Sequence, residues 1–217
     1  MTMKSDYTIS GKYKGGVKVR SDWLSDTQMV LVLAAMLPEN ALAIEVSDAT
    51  GLRLSDVLSI KTSTIVGTNR PYVTDAKTGK RHRIYIPRSL WLQMLAQAGK
   101  VYVWPGRLKP FEQHRTRDTV YKDMRRAVEV FRRNGLIEND RNVSPHSARK
   151  RAAVRAYRRG GFDAAADLLQ HSRGSAVTAL YALSDKEDLR NARRNKRHRR
   201  KSSSHSHGGR ARSDRRR

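Results

Sequence analysis

Between Thr62 and Ile86 the chain changes its periodicity, and that change limits the folds open to it. Ahead of it, Ser25-Asp26-Thr27-Gln28 has the form of a capping box, opening a helix that Pro38 stops. A second helix is predicted from about Asn40 to near Gly51, a residue suited to a left-handed C-terminal position, and Asp56 to Ile60 adds one further turn. Within the interval, Thr62 to Val66, Pro71 to Thr74 and Arg81 to Ile86 are β-rich segments. Lys77-Thr78-Gly79-Lys80 joins the last two as a hairpin turn. Helical periodicity returns over Ser89 to Ala98 and Asp118 to Arg133. Ser144 as N-cap and Pro145 as first helical residue then open a helix to about Arg159, closed by Gly160-Gly161. Asp163 to Gln170 and Ser175 to Leu183 read as two short helices. Helices, a small antiparallel sheet and helices again make a mostly α domain with one β-hairpin layer, an α+β class that many proteins share.

The chain has 217 residues, and its apolar residues concentrate between 23 and 183, enough for one core. Three parts follow: a flexible basic arm over residues 1–20, a domain over 21–189, and a disordered Arg/Ser/His-rich tail over 190–217. The net charge is +25. The tail carries thirteen Lys or Arg and one acid, hence +12, which leaves +13 on the remainder. A polyanionic partner is implied by the body as well as the tail. Nucleic acid leads, because the tail lacks the amphipathic helix that an anionic membrane surface would need. The longest apolar stretch, Met29 to Leu37, is too short to span a bilayer. Residues 1–16 lack the apolar core of a secretory signal, so a cytoplasmic protein is expected. No cysteine is present, which excludes disulfide and thiolate chemistry. His198, His205 and His207 have no defined ligand spacing, and neither a metal nor a cofactor is expected.

Two short motifs and a lone tyrosine carry the chemistry: Ala49-Thr50-Gly51-Leu52-Arg53-Leu54-Ser55-Asp56, then His146-Ser147-Ala148-Arg149, His171 and Tyr181. Together they supply two guanidiniums, two imidazoles and a phenol, a set able to hold a phosphodiester and attack it without a metal. Arginine suits the task because its planar fork binds phosphate oxygens bidentately and stays protonated. Arg53 follows a glycine at a helix end, where it could face a groove or be a plain surface arginine. His146 and Arg149 stand at i and i+3 at a helix N-terminus, which favours an anion. The alternative for them is an exposed cationic face shared with Lys150, Arg151, Arg155, Arg158 and Arg159. Tyr181 is the one tyrosine after Tyr157. A phenol of pKa ~10 needs a cationic field or a base to ionise, and otherwise would pack beside Leu180 and Leu183.

Taken together, these residues resemble the catalytic domain of tyrosine recombinases, the phage-integrase family, over roughly residues 25 to 183. The run from Thr50 to Leu58 is similar to the family's first motif. Asp167-Leu168-Leu169-Gln170-His171 is similar to its Leu-Gly-His segment, with Gln170 in place of the glycine. The resemblance implies that Arg53 and Arg149 clamp the non-bridging oxygens, that Asp56 orients Arg53, and that His146 and His171 hold the phosphate and assist proton transfer. Tyr181 would be the nucleophile. A lysine on the hairpin turn, Lys77 or else Lys80, would protonate the leaving 5′-oxygen. The implied reaction is site-specific cleavage and rejoining of double-stranded DNA through a 3′-phosphotyrosine, by a homo-tetramer on two DNA sites, with accessory DNA-bending proteins as further partners. Two departures stand out. His171 and Tyr181 are ten apart, one more than is usual in the family. About twenty residues precede the first helix, where the family usually carries a helical core-binding domain, so either the basic tail compensates in part for the missing grip or the enzyme is minimal or truncated. Three alternatives stay open: a type IB topoisomerase-like relaxing enzyme, a regulatory DNA-binding protein that keeps the fold without turnover, and a generic nucleic-acid packaging protein.

Overall fold

The computed structural model describes residues 21–22 and 24–170. Helix α1 (Asp26–Ala34) opens on the expected capping box: Ser25 Oγ accepts from the Gln28 N–H at 3.2 Å, and Gln28 Oε1 accepts from the Ser25 N–H at 3.2 Å. Pro38 does more than stop it. It is the first residue of α2 (Pro38–Thr50), where a missing N–H costs nothing, so α2 begins two residues before the predicted Asn40. Helix α2 is buried at Leu42, Ala43, Ile44 and Val46 and ends on Gly51 at φ 73°, the left-handed cap expected there. A single turn, α3 (Leu54–Leu58), follows.

The expected strand over Thr62 to Val66 is corrected: residues Thr62–Ile65 form a helical turn, α4. Lys61 makes one antiparallel bridge to Tyr102, and the chain then curls. The Thr62 hydroxyl donates to the Gly99 carbonyl at 2.6 Å and the Thr64 hydroxyl to the Lys61 carbonyl at 2.7 Å. Such side-chain-to-backbone bonds compete with a sheet ladder, and the β-branched residues that read as a strand serve the turn instead. Ile65 is buried and Val66 exposed as a result.

Strands β1 (Tyr72–Thr74) and β2 (Arg81–Arg83) pair antiparallel, with Tyr72 opposite Arg83, Val73 opposite His82 and Thr74 opposite Arg81. Backbone bonds from Ile84 to Pro71 and from Ile86 to Asn69 carry the pairing on to the predicted limit at Ile86. Val73, Ile84 and Ile86 face the core. Helices α5 (Arg88–Gln97) and α6 (Arg117–Arg133) match the predicted spans to within a residue.

Helix α7 (His146–Leu169) is two helices joined at a kink, because Gly160 (φ −142°) and Gly161 (φ 73°) leave helical geometry, as the Gly-Gly pair predicts. It packs on α2, and the small side chains Ala148, Ala152, Ala153 and Ala156 of its first half are buried. Asp48 of α2 pins it there, accepting from Arg151 Nε at 3.2 Å and Arg155 Nη1 at 2.8 Å, while Arg151 Nη2 reaches Asp26 at 3.0 Å. The fold is therefore mostly helical with a two-stranded antiparallel sheet, as predicted. The arm over 1–20, the helix expected over 175–183 and the tail over 190–217 lie outside the described residues. Among those described, no helix is long and apolar enough to cross a membrane.

Candidate active site

The site begins at the end of α2, where three local bonds shape the turn. Ser47 Oγ donates to the Leu52 carbonyl at 2.7 Å, Thr50 Oγ1 donates to the Val46 carbonyl at 2.6 Å, and the Leu52 N–H donates to Thr50 Oγ1 at 3.3 Å. Glycine is required at 51 twice over. Its φ is positive, and a Cβ there would lie 2.8 Å from Leu168 Cγ at the end of α7. The turn delivers Arg53 as the N-cap of α3, in extended geometry and with its side chain 26% exposed.

Two carboxylates hold that arginine. Nη1 of Arg53 donates to Asp75 Oδ2 and lies 3.8 Å from Asp56 Oδ2. Nε and Nη2 of Arg53 make no hydrogen bond among the described residues, so the guanidinium is anchored by one nitrogen. Asp56 is buried; its Oδ1 accepts the Ala76 N–H at 3.2 Å, and its Oδ2 has no hydrogen-bond partner among the described residues. Burial, and then the charge of Asp75, pushes the Asp56 carboxyl up, although the Ala76 N–H and the Arg53 and Arg149 guanidiniums oppose the rise. Asp75 behaves in the opposite way. Burial works against its ionisation, yet the backbone N–H groups of Thr78 and Lys77 and the Arg53 guanidinium together hold its carboxyl down at about 2.

Asp75 is the residue that sequence reasoning missed. Its Oδ1 accepts the N–H of Lys77 at 2.8 Å and of Thr78 at 2.9 Å, the geometry of an Asx turn, while its Oδ2 holds Arg53. One carboxylate thus ties the hairpin turn to the first motif. The signal in the sequence was an aspartate opening a tight Asp-Ala-Lys-Thr-Gly turn; its link to Arg53, 22 residues away, was not readable. Both candidate lysines, Lys77 and Lys80, are exposed on this turn, where Gly79 takes φ 69°.

The second motif arrives on α7. Ser144 Oγ accepts the His146 N–H at 3.3 Å and so caps the helix start, with Pro145 already helical at φ −53°. His146 is exposed; Arg149, one turn on, is 3% exposed. The Arg149 guanidinium donates to the Gly51 carbonyl and, at 2.9 Å, to the Leu169 carbonyl. It bridges the C-terminal ends of α2 and α7, where carbonyl dipoles favour a cation. This is a more buried setting than the exposed cationic face weighed from sequence. The structure brings Arg53, Asp56, Asp75, the Lys77 turn and Arg149 together. Leu169 and Gln170, the latter left-handed at φ 54°, lead directly to position 171. His171 and Tyr181 themselves lie outside the described residues.

A mostly helical domain with one hairpin, whose turn is tied to an arginine at a helix end, has the fold of tyrosine recombinase catalytic domains. Its solved relatives include a lambda integrase (residues 75–356) dimer bound to a COC′ core site, at TM-score 0.63 and 20% identity, covering 79% of this chain and 62% of that one. The lambda integrase catalytic core matches at TM-score 0.55 and 22% identity, covering 72% of this chain and 95% of the other. XerH recombinase bound to a palindromic difH substrate matches at TM-score 0.59 and 19% identity, over 85% of this chain and 56% of that one. The chain thus spans less than two thirds of the length of the DNA-bound lambda integrase and XerH structures. The description of the phage integrase family matches residues 22–188, and the chain belongs to that family. Comparison with curated proteins finds no match.

Proposed function

We propose that this chain is a site-specific DNA recombinase of the integrase type, cleaving and rejoining DNA strands through a 3′-phosphotyrosine. The observation that carries the reading is the cluster of Arg53, Asp56, Asp75 and Arg149 with the Lys77 turn fastened to it. Arg53 is held by one nitrogen, which leaves the rest of its fork to meet two phosphate oxygens. In the proposed step the Tyr181 phenolate oxygen bonds to phosphorus, the bond from phosphorus to the 5′-oxygen breaks, and Lys77 gives that oxygen its proton. Arg53 and Arg149 stabilise the charge gained on the non-bridging oxygens, and His146 and His171 hold the phosphate and assist proton transfer. The new phosphodiester to tyrosine conserves the energy of the old one, so rejoining is the reverse step and requires neither ATP nor a divalent ion. The substrate is double-stranded DNA. Relatives of this fold have been solved as a dimer on a core site and as a tetramer on a Holliday junction, and assembly of this chain as a tetramer on two DNA sites is part of the proposal.

Covalent trapping tests it. A nicked suicide duplex that loses its 5′-hydroxyl fragment should leave a protein–DNA adduct on a denaturing gel, and Tyr181→Phe should abolish that adduct while binding persists. Adduct formation by Tyr181→Phe would move the nucleophile elsewhere. A wild-type protein that binds but never forms an adduct would be a DNA-binding protein of this fold without turnover.

A further inference from the structure

The outward face of the hairpin is the strongest feature that the proposed chemistry does not use. Alternation along β1 and β2 sends Val73, Ile84 and Ile86 into the core and sends Tyr72, Thr74, Arg81 and Arg83 outward. Continuing the same register places Arg70 beside Tyr85 on that outer row, in keeping with the backbone bonds on either side of them. Tyr72 is 52% and Tyr85 56% exposed, high for aromatic residues. Their faces are not bare. The Arg81 guanidinium lies 4.7 Å from the Tyr72 ring centre, that of Arg83 6.0 Å from the same ring, and that of Arg70 5.3 Å from Tyr85. Arg83 Nε also donates to the Arg70 carbonyl at 3.1 Å.

A run of charge is usually a solvated surface, and four observations set this one apart. From Val57 to Phe111 the sequence carries ten Lys or Arg and a single acid, Asp75, which is buried and paired with Arg53. No carboxylate therefore belongs to either outward row. The three arginines are held by stacking on rings, so less side-chain entropy is lost when they meet an anion. Same-face residues of a strand stand roughly 6.8 Å apart, a spacing that suits successive phosphates of a nucleic-acid strand. The face is also continuous with the turn bearing Lys77, which Asp75 fixes to Arg53.

We infer that Arg70, Arg81 and Arg83, supported by Tyr72 and Tyr85, form a non-catalytic track for the phosphate backbone of duplex DNA beyond the phosphate held at Arg53. Asp75 is buried with Val73 while the three arginines lie on the outer row, so the track reaches the phosphate held at Arg53 round the turn that bears Lys77. The track deepens the proposed function and rests on it for the identity of the polyanion as DNA.

The test uses the full chain and duplex DNA, with binding measured by anisotropy across a salt series. Each phosphate contact contributes about −0.9 to the slope of log affinity against log salt. The variant Arg70→Gln/Arg81→Gln/Arg83→Gln should flatten that slope by about 2–3 relative to wild type. Tyr72→Leu/Tyr85→Leu keeps every charge but removes the stacking, and the ordering cost it restores should lower affinity by about 2–10-fold for each arginine freed. Both variants should still form adduct at saturating suicide duplex. An unchanged slope in the arginine variant, or unchanged affinity in the tyrosine variant, overturns the track. Absence of adduct from wild type as well would defeat the proposed chemistry, while the slope comparison would still decide the track.

Discussion

Replacing Asp75 with asparagine separates the two tasks of one carboxylate. Asparagine keeps an oxygen where Oδ1 accepts from Lys77 and Thr78, so the turn should survive. It puts an amide nitrogen where Oδ2 accepts from Arg53, setting donor against donor. A hydrogen bond to a charged group is worth roughly 1.5–3 kcal/mol. Arg53 is 26% exposed, and solvent screening brings the expected loss to about 1–2 kcal/mol. For a chain of this size that is a fall in Tm of roughly 3–6 °C. The loss depends on pH in a defined sense. The Asp75 carboxyl sits at about 2, below its ordinary 3.8, so its contribution is complete above the ordinary value and disappears as pH falls through about 2. The gap between wild type and Asp75→Asn should therefore be constant near neutral pH and close in acid. Asp56 has the opposite sign. Its raised carboxyl costs stability once ionised, as pH rises through its folded value, and removing the Asp75 charge relieves part of that cost. Cleavage should suffer more than stability, because a misplacement of about 1 Å in a catalytic group can cost roughly 10²-fold. Single-turnover adduct formation at saturating DNA reads this directly, with thermal melts at neutral and acid pH beside it. Wild-type melting together with wild-type cleavage would refute the pairing as a positioning device.

Three further outcomes are expected. Gln170→Gly should raise Tm by about 1–3 °C, because a non-glycine residue in the left-handed region costs roughly 1–2 kcal/mol, partly offset by the glycine's greater freedom when unfolded; a lower Tm would show that the Gln170 bond to the Asp167 carbonyl matters more. Arg53→Lys keeps the charge but loses the fork, so cleavage should fall by roughly 10²–10³ with DNA affinity little changed, and wild-type cleavage should survive EDTA; strict dependence on a divalent ion would contradict the chemistry. Removing residues 190–217 deletes thirteen cations and should flatten the salt dependence of DNA binding without abolishing adduct formation, whereas an identical slope would assign that charge to another partner.

Local chemistry was legible in the sequence wherever it was set within a few residues. The capping box at Ser25 and Gln28, the left-handed Gly51, the cap by Ser144 before Pro145 and the break at Gly160-Gly161 all follow from neighbours in the chain. The strand expected over Thr62 to Val66 failed because β-branched composition reports a preference for a pleated surface, and here threonine hydroxyls found nearer carbonyls than a partner strand could offer. Position along the chain also could not reveal how Arg149 is used. Its spacing from His146 suggested two groups on one exposed face; its bonds run to Gly51 and Leu169, at the ends of two helices.

The same limit hid Asp75. Its environment is made by Arg53 and by the turn that it closes, and only folding brings the two together. What results is a carboxylate pair of divided character. Asp75 is strongly ionised because backbone N–H groups and a guanidinium converge on it, and Asp56 is held nearby at a cost because burial disfavours its charge. Stability is not served by keeping an acid with a raised pKa buried beside another acid, since well-packed neutral residues often do as well or better. An anionic pocket for Nη1 of Arg53 is served by it. The two acids fix one end of the guanidinium, and the hairpin turn comes to the same place through the Asp75 side chain and the Ala76 N–H. The arginine of the first motif and the lysine turn of the hairpin are thereby positioned as one unit.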